Sequence, residues 1–351
     1  MSTVPAEPSA PAQWEAWKRK EIPPAEQVRT GLWSIPVPIP HNPLRYTISY
    51  VAEADDGLLV VDPGWFSPAT WDALTAGLAL LGGSVSDVVG VVVTHIHADH
   101  HGLSGRLRAE SGAWVAMHPA EVEALPSRLA TWVEENADRS WLTACGVPAD
   151  VIEEMSFSPA QMKPFMDMVE PDLLLADGDP VPHGDRTLRA IWTPGHTPGH
   201  ICLHDETRDV LLTGDHVLPR ISPNIGLTLI EDDPLSSFMA SLERVAEFDT
   251  AEILPAHEYR FRGIAARTVA LLQHHQERCD EIATVLRTVG EATAWQVTER
   301  LTWSRGWENV KGVMRRSALA ETAAHLQYMR KKGTLELLDG SVRRWRLAAQ
   351  M

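Results

Sequence analysis

One stretch of this chain constrains it more than any other: Val88–Thr94 (VVGVVVT) runs directly into Thr94-His95-Ile96-His97-Ala98-Asp99-His100-His101-Gly102. A short, nearly continuous apolar run of this kind suits a strand buried on both faces of a sheet. The histidine cluster therefore begins where a buried strand ends, on a loop. His95 and His97 are two apart, so in extended chain they point to the same side. Asp99 and His100 follow where the loop can turn them towards a second position. Imidazole nitrogen and carboxylate oxygen are the donors that zinc and similar divalent metals accept.

A cluster this short does not close a metal site by itself, so further donors must come from elsewhere. Three candidates stand at the ends of predicted strands: His196 in Thr193-Pro-Gly-His196, Asp215 in Thr213-Gly-Asp215, and His257 in Pro255-Ala-His257. Seven donors are enough for two ions. His200 repeats the Thr-Pro-Gly-His pattern and is read as a buttress of the site. His101, His118, His183, His204, His216, His274, His275 and His325 are read as solvated or structural, the ordinary fate of single histidines.

Around these positions the chain alternates strand and helix. Strands are expected at Leu32–Ile39, Tyr46–Glu53, Leu58–Asp62 and Trp114–Met117, then at Thr187–Trp192, Ile201–His204, Val210–Thr213 and Ala251–Leu254. Helices are expected at Pro68–Leu81 and Pro234–Phe248. Between Pro119 and Pro180 the pattern becomes helical, and it carries Trp132, Trp141, Met155, Phe157, Met162, Phe165, Met166 and Met168. This insertion, residues 119–180, is expected to fold over the metals as a lid that selects an apolar group. Residues 1–25, rich in Ala and Pro, are expected to form a mobile tail. Residues 26–260 are expected to form the catalytic domain. From 261 to 351 a long helix, two further helices and a hairpin about Asp339-Gly340 give a winged-helix-like order. Thr293-Ala-Trp-Gln296 has the form of a capping box.

The HxHxDH signature at His95, His97, Asp99 and His100, followed in order by His196, Asp215 and His257, resembles the metallo-β-lactamase superfamily. The tail, with the Ile35–Pro40 and Ser222–Gly226 segments, resembles its lactamase-β-like sub-branch, which includes a mitochondrial endoribonuclease and many bacterial hydrolases. The resemblance implies an α/β fold, an αββα sandwich with the metals at one edge of the sheets. It implies one ion at His95, His97 and His196, a second at Asp99, His100 and His257, and Asp215 as the bridge. Asp62 matches an aspartate that orients the metal site from behind. Two divalent ions are implied, zinc first, with iron or manganese as alternatives.

Such a site lowers the pKa of bound water towards about 7. The expected reaction is attack of a metal-bridging hydroxide on a small-molecule thioester, ester or lactone, with Asp99 orienting the nucleophile or taking its proton. The alternatives are a nuclease, an iron-dependent sulfur dioxygenase on the same fold, and a DNA binder with a ligand-sensing metal domain. Charge separates them in part. Residues 261–351 carry 15 Lys+Arg against 9 Asp+Glu, a balance of +6, and residues 1–260 carry 16 against 38, a balance of −22. The acidic body disfavours a polyanionic partner. The C-terminal unit is therefore expected to pack, or to form a homo-oligomer, and not to read nucleic acid. The three cysteines, Cys145, Cys202 and Cys279, form no disulfide framework. With no run of about 18 apolar residues, no membrane partner is expected, and the cytoplasm is the expected compartment.

Overall fold

The computed structural model describes residues 6–125, 135–155, 168–182, 188–226, 232–338 and 340–349. The chain opens with β1 (Glu7–Pro8) and α1 (Pro11–Arg19), followed by β2 (Glu26–Arg29), β3 (Leu32–Pro38), β4 (Tyr46–Ala54) and β5 (Gly57–Val61). Then come α2 (Pro68–Leu80), β6 (Val88–Val92), α3 (Ala98–His101), α4 (Ser104–Ser111) and β7 (Trp114–Met117). The inserted region supplies α5 (Pro119–Glu123), α6 (Glu135–Ala144) and α7 (Ala149–Met155). It leads to β8 (Leu173–Leu174), β9 (Leu188–Trp192), β10 (Ile201–Asp205), β11 (Val210–Gly214), α8 (Pro234–Val245), β12 (Glu252–Pro255) and β13 (Phe261–Arg262).

Two sheets result. One has the order β2-β3-β4-β5-β6-β7-β8, parallel from β5 onwards; the other has the order β1-β13-β12-β11-β10-β9. Strand alternation sorts the apolar residues between layers. On β4, Ile48, Tyr50 and Ala52 face the second sheet and meet Leu203, Leu212 and Leu254, whereas Val51 faces the helices. On β6, Val91 packs among Leu74, Leu78 and Leu107 from α2 and α4, and Val92 packs between the sheets. That double burial is why the run is nearly all Val, broken only by Gly90. Outside the second sheet, Leu235, Phe238 and Leu242 of α8 cover Cys202, Leu211 and Ile253. The layers are helix, sheet, sheet, helix.

The C-terminal unit comprises α9 (Ile264–Val289), β14 (Glu291–Thr293), α10 (Ala294–Thr298), α11 (Val313–Lys331), β15 (Leu335–Leu338) and β16 (Arg344–Leu347). The capping box forms as expected: Gln296 N donates to Thr293 Oγ1 at 3.1 Å, and Thr293 N donates to Gln296 Oε1 at 3.0 Å. β14 adds to the hairpin, giving the sheet order β14-β16-β15. No described helix is long and apolar enough to cross a membrane.

Two regions differ from the sequence expectation. The expected tail is structured from Glu7. β1 pairs antiparallel with β13, and Gln13 of α1 is fully buried, donating to Ser34 Oγ at 3.2 Å and accepting from Arg260 N at 2.9 Å. Trp14 and Trp17 lie edge-on to Tyr259. Composition reads this segment as a tail because its anchor is one amide side chain and two indoles, not an apolar stripe. In the insertion, Leu142, Cys145, Val147, Ile152 and Met155 of the α6–α7 region share one core with Ile282, Leu286, Trp295, Leu319 and Leu326 of the C-terminal unit, and Trp141 packs against it. Met168 instead joins the α2–α4 core. Trp132, Phe157, Met162, Phe165 and Met166 of the expected lid lie outside the described residues.

This shared core predicts that Ile152→Ala lowers the unfolding free energy by about 2–5 kcal/mol, read by urea denaturation of the full chain. Unchanged stability would show that α7 contributes nothing to the C-terminal unit.

Candidate metal centre

The positions singled out in the sequence converge on one edge of the sandwich. Asp62 follows β5, His95 and His97 follow β6, and α3 carries Asp99 and His100. From the second sheet, His196 follows β9, Asp215 follows β11 and His257 follows β12. Within each sheet these strands run the same way, so their C-terminal ends meet. Backbone bonds across the edge fix the arrangement: Ile201 N to Thr94 O at 3.0 Å, Ala256 N to Gly214 O at 3.0 Å and Ile48 N to Ala256 O at 2.7 Å.

Two glycines are required at the turns that aim these donors. Gly214, just before Asp215, has φ +49, and a Cβ there would lie 2.7 Å from His200 Nε2 and 2.9 Å from Thr94 Oγ1. Gly195, just before His196, has φ +140, and a Cβ would lie 2.4 Å from Phe238 Cα. Only a residue without a side chain fits either position.

The donor atoms fall into two groups with Asp215 between them. In the first, His97 Nδ1 is 2.9 Å from His95 Nε2 and 3.1 Å from His196 Nε2, and the two Nε2 atoms are 3.3 Å apart. In the second, Asp99 Oδ2 is 3.4 Å from His257 Nε2 and 3.9 Å from His100 Nε2. Asp215 Oδ1 faces His257 Nε2 at 3.2 Å and His100 Nε2 at 3.6 Å, while its Oδ2 is 3.7 Å from His196 Nε2.

Behind these atoms, four of the histidines have their other nitrogen committed. His95 Nδ1 is 3.1 Å from Thr94 Oγ1, His100 Nδ1 is 2.9 Å from Asp62 Oδ2, His196 Nδ1 is 2.7 Å from Asn224 O and His257 Nδ1 is 2.9 Å from Tyr46 O. A ring that donates from Nδ1 presents a lone pair at Nε2. Lone pairs about 3 Å apart repel unless a cation lies among them. His100 Nε2, His257 Nε2 and Asp215 Oδ1 are also buried without a hydrogen bond, despite the 3.2 Å approach of the last two. Buried polar atoms left in this state call for a ligand. The donor chemistry fits two divalent ions, one for each group.

Residues 43–257 match the family profile of the metallo-beta-lactamase superfamily. The chain belongs to the metallo-β-lactamase superfamily. It is similar to a solved metallo-beta-lactamase family protein from Thermus thermophilus, with 31% identity and a TM-score of 0.76 over 92% of this chain and 100% of that one. It is 31% identical to the acyl-coenzyme A thioesterase of Homo sapiens over 177 residues, 47% of this chain and 54% of that protein, so the match spans about half the thioesterase. A beta-lactamase-like protein 2 homolog of Caenorhabditis elegans is 24% identical over 301 residues, 84% of each chain. The chain is thus a hydrolase of a metal-dependent superfamily.

Electrostatics divide this metallo-β-lactamase site into unlike halves. Burial holds His95 well below the usual imidazole range, pushes His97 down to about 3 and lowers His196, and the neighbouring imidazoles add to the effect. These three rings are neutral and ready to donate lone pairs. Burial would also lower His100 and His257, but carboxylates outweigh it. Asp62, Asp215 and Asp99 raise His100 well above its ordinary value, and Asp215 and Asp99 bring His257 up to about 10. Burial would raise the two aspartates; instead the same histidines hold Asp99 down at about 2 and Asp215 well below the carboxylate range. Without a metal, protons bind this half together, and a metal displaces them.

The superfamily resemblance points to Asp62, and the structure places it at the centre of the supporting bonds. It accepts from Thr94 N at 2.8 Å and Thr94 Oγ1 at 2.7 Å as well as from His100. His200 sits as a buttress: its Nδ1 is 2.8 Å from Thr193 Oγ1 and its Nε2 accepts from Asp215 N at 3.2 Å. His101 is tied to Ser104 Oγ and Val169 O, and His118 stacks on Trp192. His275 meets His325, His204 lies edge-on to Phe248, and His183 lies outside the described residues. Sequence reasoning missed Glu121. Its buried carboxylate accepts from Ile96 N at 2.7 Å and Gly199 N at 2.6 Å, clamping the two histidine loops together. Burial raises its pKa against those hydrogen bonds. Nothing in Pro119-Ala-Glu-Val marks it. Tyr46 and Asn224 were missed as well, because each acts through a backbone carbonyl that any residue has.

Two outcomes are expected. Asp62→Ala weakens metal binding by about 10–100-fold, measured by competition with a chromophoric chelator. Glu121→Gln turns an amide N–H towards the Ile96 or Gly199 N–H and costs about 1–3 kcal/mol. A thermal unfolding midpoint equal to wild type would show that this clamp is not needed.

Proposed function

We propose that this protein is a binuclear hydrolase of a small-molecule acyl thioester, with esters and lactones as substrates of the same class. The observation that carries the two-ion reading is Asp215, whose two oxygens face different histidine groups at 3.2–3.7 Å. In this reading His95, His97 and His196 would hold one ion, Asp99, His100 and His257 would hold the other, and Asp215 would serve both. Zinc is the first expectation, and iron or manganese the alternatives. When bound, the ions supply an activated water and polarise the scissile carbonyl.

The chain's own residues do the rest. Asp62 and Thr94 lock His95 and His100 in one orientation each. Asp99, with its side chain 15% exposed against 0–10% for His100, His257 and Asp215, is the donor nearest solvent in its group. Its carboxylate orients the attacking water and takes up its proton. The thioester class rests on the similarity to the human thioesterase, and the acidic body, at −22 over residues 1–260, opposes a nuclease.

The same reading assigns the C-terminal unit, taken as winged-helix-like, to packing. Its α11 buries Leu319, Leu326 and Met329 against the unit's own core and Ala323 and Ala324 against the α8–α9 core. A helix covered on two sides along its middle offers little face to lay in a groove of DNA.

The test is a hydrolysis panel on zinc-, manganese- and iron-loaded protein with acyl-coenzyme A, lactone, simple ester, phosphodiester and RNA. The thioester is expected to turn over fastest, and Asp99→Asn is expected to lower kcat by about 10²–10⁴-fold without unfolding the chain. Turnover of only the phosphodiester or RNA would replace this reading with the nuclease. Nucleic-acid binding is expected to be weak, without the steep salt dependence of a phosphate-neutralising surface.

A further inference from the structure

Asn224 stands between the metal centre and the C-terminal helices. Its carbonyl oxygen accepts from His196 Nδ1 at 2.7 Å, which leaves His196 Nε2 as the lone pair facing His95 and His97. Its side chain points the other way. Asn224 Nδ2 donates to Ser317 O at 3.1 Å and lies 3.5 Å from Glu321 Oε2, both on α11.

The segment that carries Asn224, residues 216–226, runs on from Asp215 and contains no regular element. A segment without its own ladder of hydrogen bonds takes its conformation from what grips it. Near Asp215 the grip is the catalytic domain's own: Thr213 Oγ1 donates to Val217 O at 2.9 Å, and Ala6 N donates to Pro219 O at 3.1 Å. Towards Asn224 both long C-terminal helices take over. Arg267 of α9, 2% exposed, donates to Leu218 O at 2.6 Å and to Ile221 O at 2.8 Å. Ser222 Oγ lies 3.4 Å from His275 Nε2, also on α9. His275 Nδ1 meets His325 Nε2 at 3.1 Å, and His325 Nδ1 is 2.8 Å from Glu321 O. The two rings take one proton arrangement: His325 donates to Glu321 O and His275 donates to His325, which leaves His275 Nε2 as an acceptor beside the Ser222 hydroxyl, whose other neighbour is Pro223 O at 3.3 Å. The half of the loop that bears Asn224 is therefore held by α9 and α11, and its inward end is the acceptor that orients His196.

We propose that Asn224 is a positioning residue through which the C-terminal unit sets the direction of His196, so that the His95–His97–His196 group is complete only with α9 and α11 docked. The inference rests on the metal reading of the preceding section, and concerns the binding of one ion of the pair. A loop merely anchored for stability would transmit nothing to the metal.

The experiment uses full-length Asn224→Asp, Asn224→Ala, Glu321→Ala and Glu321→Gln. Asn224→Asp keeps the shape of the side chain and removes its donor. Zinc binding is followed by competition with a chromophoric chelator, and the cobalt-loaded proteins by their d–d absorption. Both Asn224 variants are expected to bind one ion about 10-fold more weakly, at the low end of the effect of outer partners on metal affinity. The other ion should bind as in wild type, and the cobalt spectrum of the weakened site should change. Glu321→Ala is expected to shift the same ion by less, and Glu321→Gln, which keeps an acceptor oxygen, to restore wild-type binding. If the Asn224 variants do not fold, the Glu321 pair decides. Folded Asn224 variants with wild-type affinities and an unaltered cobalt spectrum would overturn the proposal. A wild-type protein that binds two ions but cleaves no thioester sinks only the substrate reading. One that binds none sinks the metal reading and this inference with it.

Discussion

A single buried carboxylate organises this edge of the molecule. Asp62 is 2% exposed, sits at φ +52 where β5 ends, and accepts from Thr94 N, Thr94 Oγ1 and His100 Nδ1. An isolated carboxylate at that depth would be costly, and three donors offset the loss of water. The same bonds tie the end of β5 to the end of β6 and to α3. Because the Thr94 hydroxyl donates to Asp62, it is left to accept from His95 Nδ1, so the orientation of one histidine in each donor group traces back to Asp62. The left-handed backbone is one that aspartate tolerates better than most residues.

From that point the arrangement of layers follows. Four of the strands that end in donors, β5, β6, β11 and β12, are largely buried on both faces, β9 lies at the edge of its sheet, and the sandwich of two sheets under two helical layers brings the ends of all five to one edge. The donors can then be packed closely because their turns need no side-chain space: Gly195 and Gly214 bring Phe238, His200 and Thr94 against bare backbone. Polar atoms left without partners at such a place mark what the protein is built to bind.

Much of this was legible in the chain itself. The histidine cluster could be read because its chemistry lies in side chains at fixed spacing behind a Val-rich strand. His196, Asp215 and His257 could be read because each stands at the end of a predicted strand. What escaped reading has a common cause. Tyr46 and Asn224 meet the histidines through main-chain oxygens that any residue has, and the Glu121 carboxylate accepts from main-chain N–H groups of distant loops that no sequence pattern marks. The segment near Gln13 and the α6–α7 region escaped for a different reason. Their partners, Arg260 and the C-terminal core, are distant in sequence, and composition alone suggested a tail and a lid. The balance of +6 in residues 261–351 does not show that the middle of α11, from Ala318 to Met329, is largely buried against two cores.

The separation of the donors along the chain has a consequence for how the molecule comes to be. His95 and His196 are 101 residues apart, yet their Nε2 atoms lie 3.3 Å from each other. No fragment that ends before His257 holds both donor groups, so during synthesis the first histidines emerge as an incomplete chelator. Contacts this distant form slowly, because the loop must close before they reward it. A cation that arrives early finds three imidazoles and a carboxylate in flexible chain, whereas one that arrives after both sheets have docked finds the whole set. Once seated, it closes loops that span most of the catalytic domain, and it resists their reopening much as a covalent cross-link would.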